Sequence, residues 1–128
     1  MLLLKTYLAP STIHGVGVFS EDHIPQGAVV WQWHEGIDRR IAPDVVEALP
    51  PFCQDFLKRY GWIEGGQYTI CIDNERFINH SDTPNCVFSE DGTQAIAARD
   101  ILAGEEITQD YRTFDEKWGS PEFGYDWP

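Results

Sequence analysis

The chain has 128 residues, 42% hydrophobic and 13% aromatic, which is enough apolar material for one core and too much for a disordered chain. With 9 basic against 21 acidic residues the net charge is -12, so no basic face is available for the phosphates of duplex DNA, and a cationic partner such as a lysine-rich peptide is favoured. The opening MLLLK is too short for a secretory signal and no apolar run approaches a membrane span, so no membrane association and an intracellular, cytoplasmic location (nuclear in a eukaryote) are expected.

In chain order, Ile13 to Phe19 predicts a strand and turn, and Ala28 to Trp33 a strand rich in β-branched and aromatic residues. Pro25 and Gly27 mark the turn between them. From residue 43 to 60, Val45, Val46, Leu49, Phe52, Phe56, Leu57 and Tyr60 recur at near-helical spacing, and Pro50-Pro51 should split this stretch into two short helices. "QYTICI" alternates as a strand, with Tyr68, Ile70 and Ile72 on one face. "NCVF" and "QAIAAR" predict a strand pair joined by the turn Ser89-Glu90-Asp91-Gly92. The tail 112–128 has poor periodicity, but from Tyr111 onward the chain holds six aromatics. Cys53, Cys71 and Cys86 are odd in number, widely spaced and lack a CxxC, which argues for reduced thiols rather than disulfides or structural zinc.

Four separated pieces carry the chemistry: "HGVGVF" at 14–19, "WHEG" at 33–36, "RFINHSDTPNCVF" at 76–88 and "ARDILAGEEITQDY" at 98–111. Gly15 and Gly17 lack Cβ, so their backbone groups can approach a ligand or simply form a hairpin turn. Asn79 offers two donors and an acceptor, and "NHS" beside Pro84-Asn85 also reads as a capped turn. In their order the four pieces resemble the SET-domain family of protein-lysine methyltransferases. The resemblance implies a mainly β fold, a β-clip of several short sheets. It implies one domain over 1–128, with a helical insert at about 38–67, an aromatic C-terminal tail at 112–128 and a knot-like C-terminal crossing.

It further implies S-adenosylmethionine as methyl donor, held by Gly15, Val16, Gly17, Asn79 and His80, with no metal. Tyr111 matches the catalytic tyrosine, whose hydroxyl would orient methyl and amine rather than act as a base, because a phenol has a reference pKa of about 10. The substrate is then a lysine in a basic peptide or protein. Its side chain would enter a channel of aromatic faces that strip water from the stem and tolerate the cation. Trp33, His34, Tyr68, Phe88, Gln109 and Trp118 are the channel candidates, with Phe88 and Gln109 at positions where relatives control the room around the amine. A homodimer stays open.

Three departures qualify the resemblance. His34 stands where the family has tyrosine, Asp82 stands where cysteine is common after "NHS", and no zinc-binding cysteines follow Tyr111. The aromatic tail, with Trp118, Phe123, Tyr125 and Trp127, would therefore close the channel. His34 keeps a second reading alive, a catalytically silent SET module that binds a peptide or S-adenosylmethionine.

Overall fold

The structure, a computed structural model, describes residues 1–118. Its strands form several small sheets. β1 (Thr6–Pro10) pairs antiparallel with β2 (Val16–Ser20). β3 (Val29–Gln32), β9 (Gln94–Ala97) and β8 (Cys86–Phe88) form an antiparallel sheet in that order. β4 (Arg39–Ile41), β6 (Gln67–Ile70) and β5 (Trp62–Glu64) form another. The short strands β7 (Asn79–His80) and β10 (Thr108–Gln109) lie parallel to each other.

The helical insert divides where its prolines require. Pro43 begins α1 (Pro43–Glu47) and Pro51 begins α2 (Pro51–Tyr60), each in the first turn, where a missing N–H costs nothing. α2 ends against β6 at Gly61. A Cβ there would lie 2.6 Å from the Thr69 carbonyl oxygen and 2.8 Å from that of Leu57, so only glycine lets the helix end approach the strand this closely.

The main core gathers Val18, Ile24, Val30, Ile78, Cys86 and Ile107, among others, and a second cluster joins Trp31, Trp62, Cys71 and Ala95. Val30 and Trp31 are successive and both buried, because alternate residues of β3 point to opposite sides and reach different clusters. β6 alternates as its sequence predicts, but its core face is the other one: Thr69 and Cys71 are buried, while Tyr68 and Ile70 are half-buried and Ile72 is exposed. The apolar face of β6 meets the helical insert, which covers it only in part. Burial also raises both core thiols, that of Cys86 to about 12, so neither is a thiolate at neutral pH. Among the described residues no helix is long and apolar enough to cross a membrane.

Candidate active site

The site grows from the parallel pairing of β7 and β10, which sets Asn79 beside Thr108 and His80 beside Gln109. Ser81 N–H donates to the Gln109 carbonyl at 2.9 Å and extends the pairing. Asn85 fixes the approach of β10. Its side-chain oxygen accepts from Thr108 N–H at 2.8 Å, and its amide donates to the Glu106 carbonyl at 2.7 Å. Asn85 is fully buried, and its side chain takes the place of a strand partner for the buried Thr108 N–H and for the Glu106 carbonyl.

Asn79 ties this crossing to the glycine turn. Its amide donates to the carbonyls of His14 and Val16, at 3.0 and 3.2 Å, and to Glu106 Oε1 at 2.9 Å. The Glu106 carboxylate also accepts from Ser11 Oγ at 2.8 Å. A Cβ on Gly17 would sit 2.2 Å from Glu106 Oε1, so this glycine has a reason inside the protein: it admits the carboxylate that holds Asn79. Gly15, with φ at +49°, has open space around it. The Asn79 side-chain oxygen takes no hydrogen bond from the described residues.

Immediately after β10 the chain turns through Tyr111–Thr113, with Asp110 capping the turn by accepting from Arg112 N–H at 3.0 Å. This turn places the Tyr111 ring among aromatics. Its centroid lies 5.5 Å from His80 and 5.6 Å from both Phe114 and Trp118. His80 and Trp118 are 4.5 Å apart, and Phe114 meets Phe88 at 4.8 Å. His80 Nδ1 accepts from Tyr111 N–H at 3.2 Å, which assigns its ring proton to Nε2. The Tyr111 hydroxyl donates to the Ile78 carbonyl. Tyr111, Tyr60, Trp62, Glu75, Gln109 and Phe114 line a narrow cavity of about 30 Å³.

The structure therefore brings together Gly15, Val16, Gly17, Asn79, His80, Tyr111, Phe88, Gln109 and Trp118. It places three channel candidates elsewhere. Trp33 packs against Trp31, lies under the Arg40 guanidinium at 4.1 Å and donates to Glu35 at 2.8 Å. The exposed His34 spends its backbone N–H on Asp38, at 3.0 Å. Tyr68 sits on β6, where burial and the Glu47 charge raise its hydroxyl pKa. Phe123, Tyr125 and Trp127 lie outside the described residues.

The family profile described as "SET domain" matches residues 15–112. The chain belongs to the SET-domain family of protein-lysine methyltransferases. A histone-lysine N-methyltransferase, H3 lysine-4 specific, of Aspergillus oryzae is 32% identical over 130 residues, covering 88% of this chain and 10% of that protein. Histone-lysine N-methyltransferase 2B of Homo sapiens is 33% identical over 110 residues, covering 80% of this chain and 4% of its own length. The chain thus spans at most about a tenth of these two relatives. A humanized mutant of the Chaetomium thermophilum Polycomb Repressive Complex 2 shares the fold, with a TM-score of 0.64 over 88% of this chain and 15% of that one, at 19% identity.

Two lining residues of this SET domain are not obvious from its sequence. Phe114 could have been found, since it follows Tyr111 by one helical turn. Glu75 is the single acid between Asn74 and the "RFINHS" motif, and nothing about its neighbours marks it as buried. Yet it is 6% exposed and accepts from the Gln109 amide at 3.3 Å. Burial is the main reason its carboxyl is raised to about 7. Asp73 adds to the shift, while Cys71, Gln109 and the N-terminal ammonium oppose it. A raised folded-state pKa favours the native state at low pH, and that stability is lost as pH rises from about 4.5 to 7. Glu75→Gln should escape this loss, so its stability relative to wild type should grow by on the order of 3 kcal/mol between pH 4.5 and pH 8. Urea unfolding at both pH values checks this, and an equal difference at the two would contradict it. Among the described residues no group of three His, Cys, Asp or Glu gathers as a metal site.

Proposed function

We propose that the chain is an S-adenosylmethionine-dependent protein-lysine N-methyltransferase acting on a lysine within a basic protein segment. The observation that carries this reading is the convergence of Asn79, His80 and Tyr111 at one crossing, with Tyr111 facing an aromatic-walled cavity.

The residues fit the methyl donor. The open backbone around Gly15 and the unpartnered Asn79 oxygen suit a zwitterionic amino acid, whose ammonium needs acceptors and whose carboxylate needs donors. When bound, S-adenosylmethionine supplies a methyl group on a cationic sulfur. Tyr111 donates its hydroxyl proton to the Ile78 carbonyl, so toward an amine its oxygen can act only as an acceptor, the role that orienting the amine requires. Phe88, Phe114 and Trp62 exclude water from the approach, which lowers the cost of deprotonating a bound ammonium before it attacks.

A groove of about 420 Å³ adjoins the cavity, and Trp62, Phe114 and Asp115 line both. Glu64, Glu90, Asp91 and Glu116 add negative charge to the groove against the single cation Arg112, which suits a peptide carrying further Lys or Arg. The relatives' histone substrates are of this charge type.

Labelled S-adenosylmethionine and a pool of basic peptides test the proposal. Wild type should transfer label, and Tyr111→Phe should lower kcat by about 100-fold or more with little change in donor affinity. Donor binding without transfer to any peptide would support the silent module instead.

A further inference from the structure

Glu75 is a buried carboxylate without an ion-pair partner. No basic side chain lies in salt-bridge range of it among the described residues. The neighbouring Arg76 turns away, donating to the Ile72 carbonyl at 2.9 Å with its guanidinium 4.9 Å from the Phe77 ring centre. The other buried acid of the cavity wall, Asp115, has its own cation, Lys117, at 3.6 Å. Glu75 has only neutral neighbours within hydrogen-bonding reach, the Gln109 amide and the Cys71 thiol.

Removing a carboxylate from water with no counter-charge nearer than the N-terminal ammonium, which lies beyond salt-bridge range, is costly, and a core that only needed to fill this volume would be better served by an apolar side chain. The position opens onto the same cavity as Tyr111 and Gln109. Its remaining walls, Tyr60, Trp62 and Phe114, are aromatic. A small cation with N–H donors would find there a negative charge, an amide and ring faces together.

We propose that Glu75 is a specificity-determining residue, receiving the ammonium of the substrate lysine in the cavity beside Tyr111. This rests on the methyltransferase reading. The carboxylate accepts N–H bonds from the amine, so the cavity selects a slender cationic side chain over an apolar one of equal length. Gln109, held by Glu75, serves as a positioning residue that keeps the carboxylate in one rotamer. An ammonium in the cavity also stabilises the charged carboxylate, reversing the effect of burial.

The test compares a short Arg/Gly peptide with one central lysine against the same peptide with norleucine. Binding is measured at pH 8 by calorimetry, with S-adenosylhomocysteine present. Wild type should prefer lysine by about tenfold or more, and Glu75→Gln, which keeps shape and a partner for Gln109, should lose most of that preference. Glu75→Asp, charged but shorter, should retain part of it. A purely structural Glu75 would leave the preference unchanged in the Gln variant, and that result, or a wild type indifferent to the ammonium, would overturn the proposal. A wild type that prefers lysine yet methylates no peptide would instead overturn the methyltransferase reading and leave Glu75 as a lysine-binding group.

Discussion

Replacing Lys117 by methionine should destabilise the protein by about 3–5 kcal/mol, the range for breaking one side of a buried ion pair. Lys117 is 1% exposed, and its ammonium donates to the carbonyls of Lys58 and Gly61, at 2.5 and 2.8 Å, beside the Asp115 carboxylate at 3.6 Å. Those two carbonyls belong to the end of α2, where helical carbonyls lack an intrahelical donor and the helix dipole is negative. Lys117 is thus a cap delivered from more than fifty residues away. Burial pulls its pKa down and pushes that of Asp115 up, but their mutual attraction opposes both shifts, and two carbonyl acceptors around the nitrogen favour the ammonium. Asp115 Oδ1 also accepts from Ile63 N–H and Lys117 N–H, both at 3.1 Å, so the segment after Tyr111 is bound to the insert at several points. With methionine at 117, Asp115 stays buried without its cation and two carbonyls lose a donor. Because Asp115 and Phe114 line the cavity, methyl transfer should fall as well. The double variant Lys117→Met/Asp115→Leu should regain much of the stability, since removing both charges removes the uncompensated one. Denaturant unfolding of the two variants decides it. A single-variant loss below about 1 kcal/mol would mean that the pair is not buried in solution as it is here.

Lys117 also marks where sequence reading runs out. A lysine in "FDEKWG" has every mark of a solvated residue, and its burial depends on a helix end that local pattern cannot bring near. What was legible obeyed short-range rules. Pro50-Pro51 split the insert as proline chemistry demands, and the turn at 89–92 joined the pair β8 and β9. The strands β1, β4, β5, β7 and β10 were not read; β7 and β10 are only two residues each, and their pairing joins segments almost thirty residues apart, which local pattern cannot show. The β6 alternation held, but nothing in it said which face would be buried, and it is Thr69 and Cys71 that enter the core. For the site, the motif order pointed to Asn79, His80 and Tyr111, and the pairing of β7 with β10 does set these three close together. Channel walls obey only shape and polarity. Trp33 packs beside the same buried cluster as Phe88 and Phe114 without lining the cavity beside Tyr111, whereas Phe114 and Glu75 do line it.

Asn85 offers the sharpest test of the crossing itself, because its bonds to Thr108 N–H and to the Glu106 carbonyl can be separated by pH. Asn85→Ala orphans the buried Thr108 N–H and removes the donor to the Glu106 carbonyl, at a cost of roughly 1–3 kcal/mol or more. It should also let β10 drift, and with it Tyr111, so transfer should fall even where the variant remains folded. Asn85→Asp keeps the acceptor for Thr108 N–H but sets a second oxygen against the Glu106 carbonyl, in a buried site near the Glu105 carboxylate. An ionised aspartate there has no donor for that carbonyl and faces the Glu105 carboxylate, to which Arg99 is already committed, so burial and Glu105 should both raise its pKa. Once protonated, its hydroxyl can donate to the Glu106 carbonyl while its other oxygen accepts from Thr108, which restores the asparagine pattern. A folded-state pKa above the unfolded value of about 4 means stability that is present at low pH and lost as pH rises through the folded value. The Asp variant's deficit against wild type should therefore shrink between pH 8 and pH 4.5, while that of the Ala variant stays constant. Urea unfolding of the three proteins at both pH values measures this. Parallel deficits in Asp and Ala would show that the bond to the Glu106 carbonyl does not hold β10 in place.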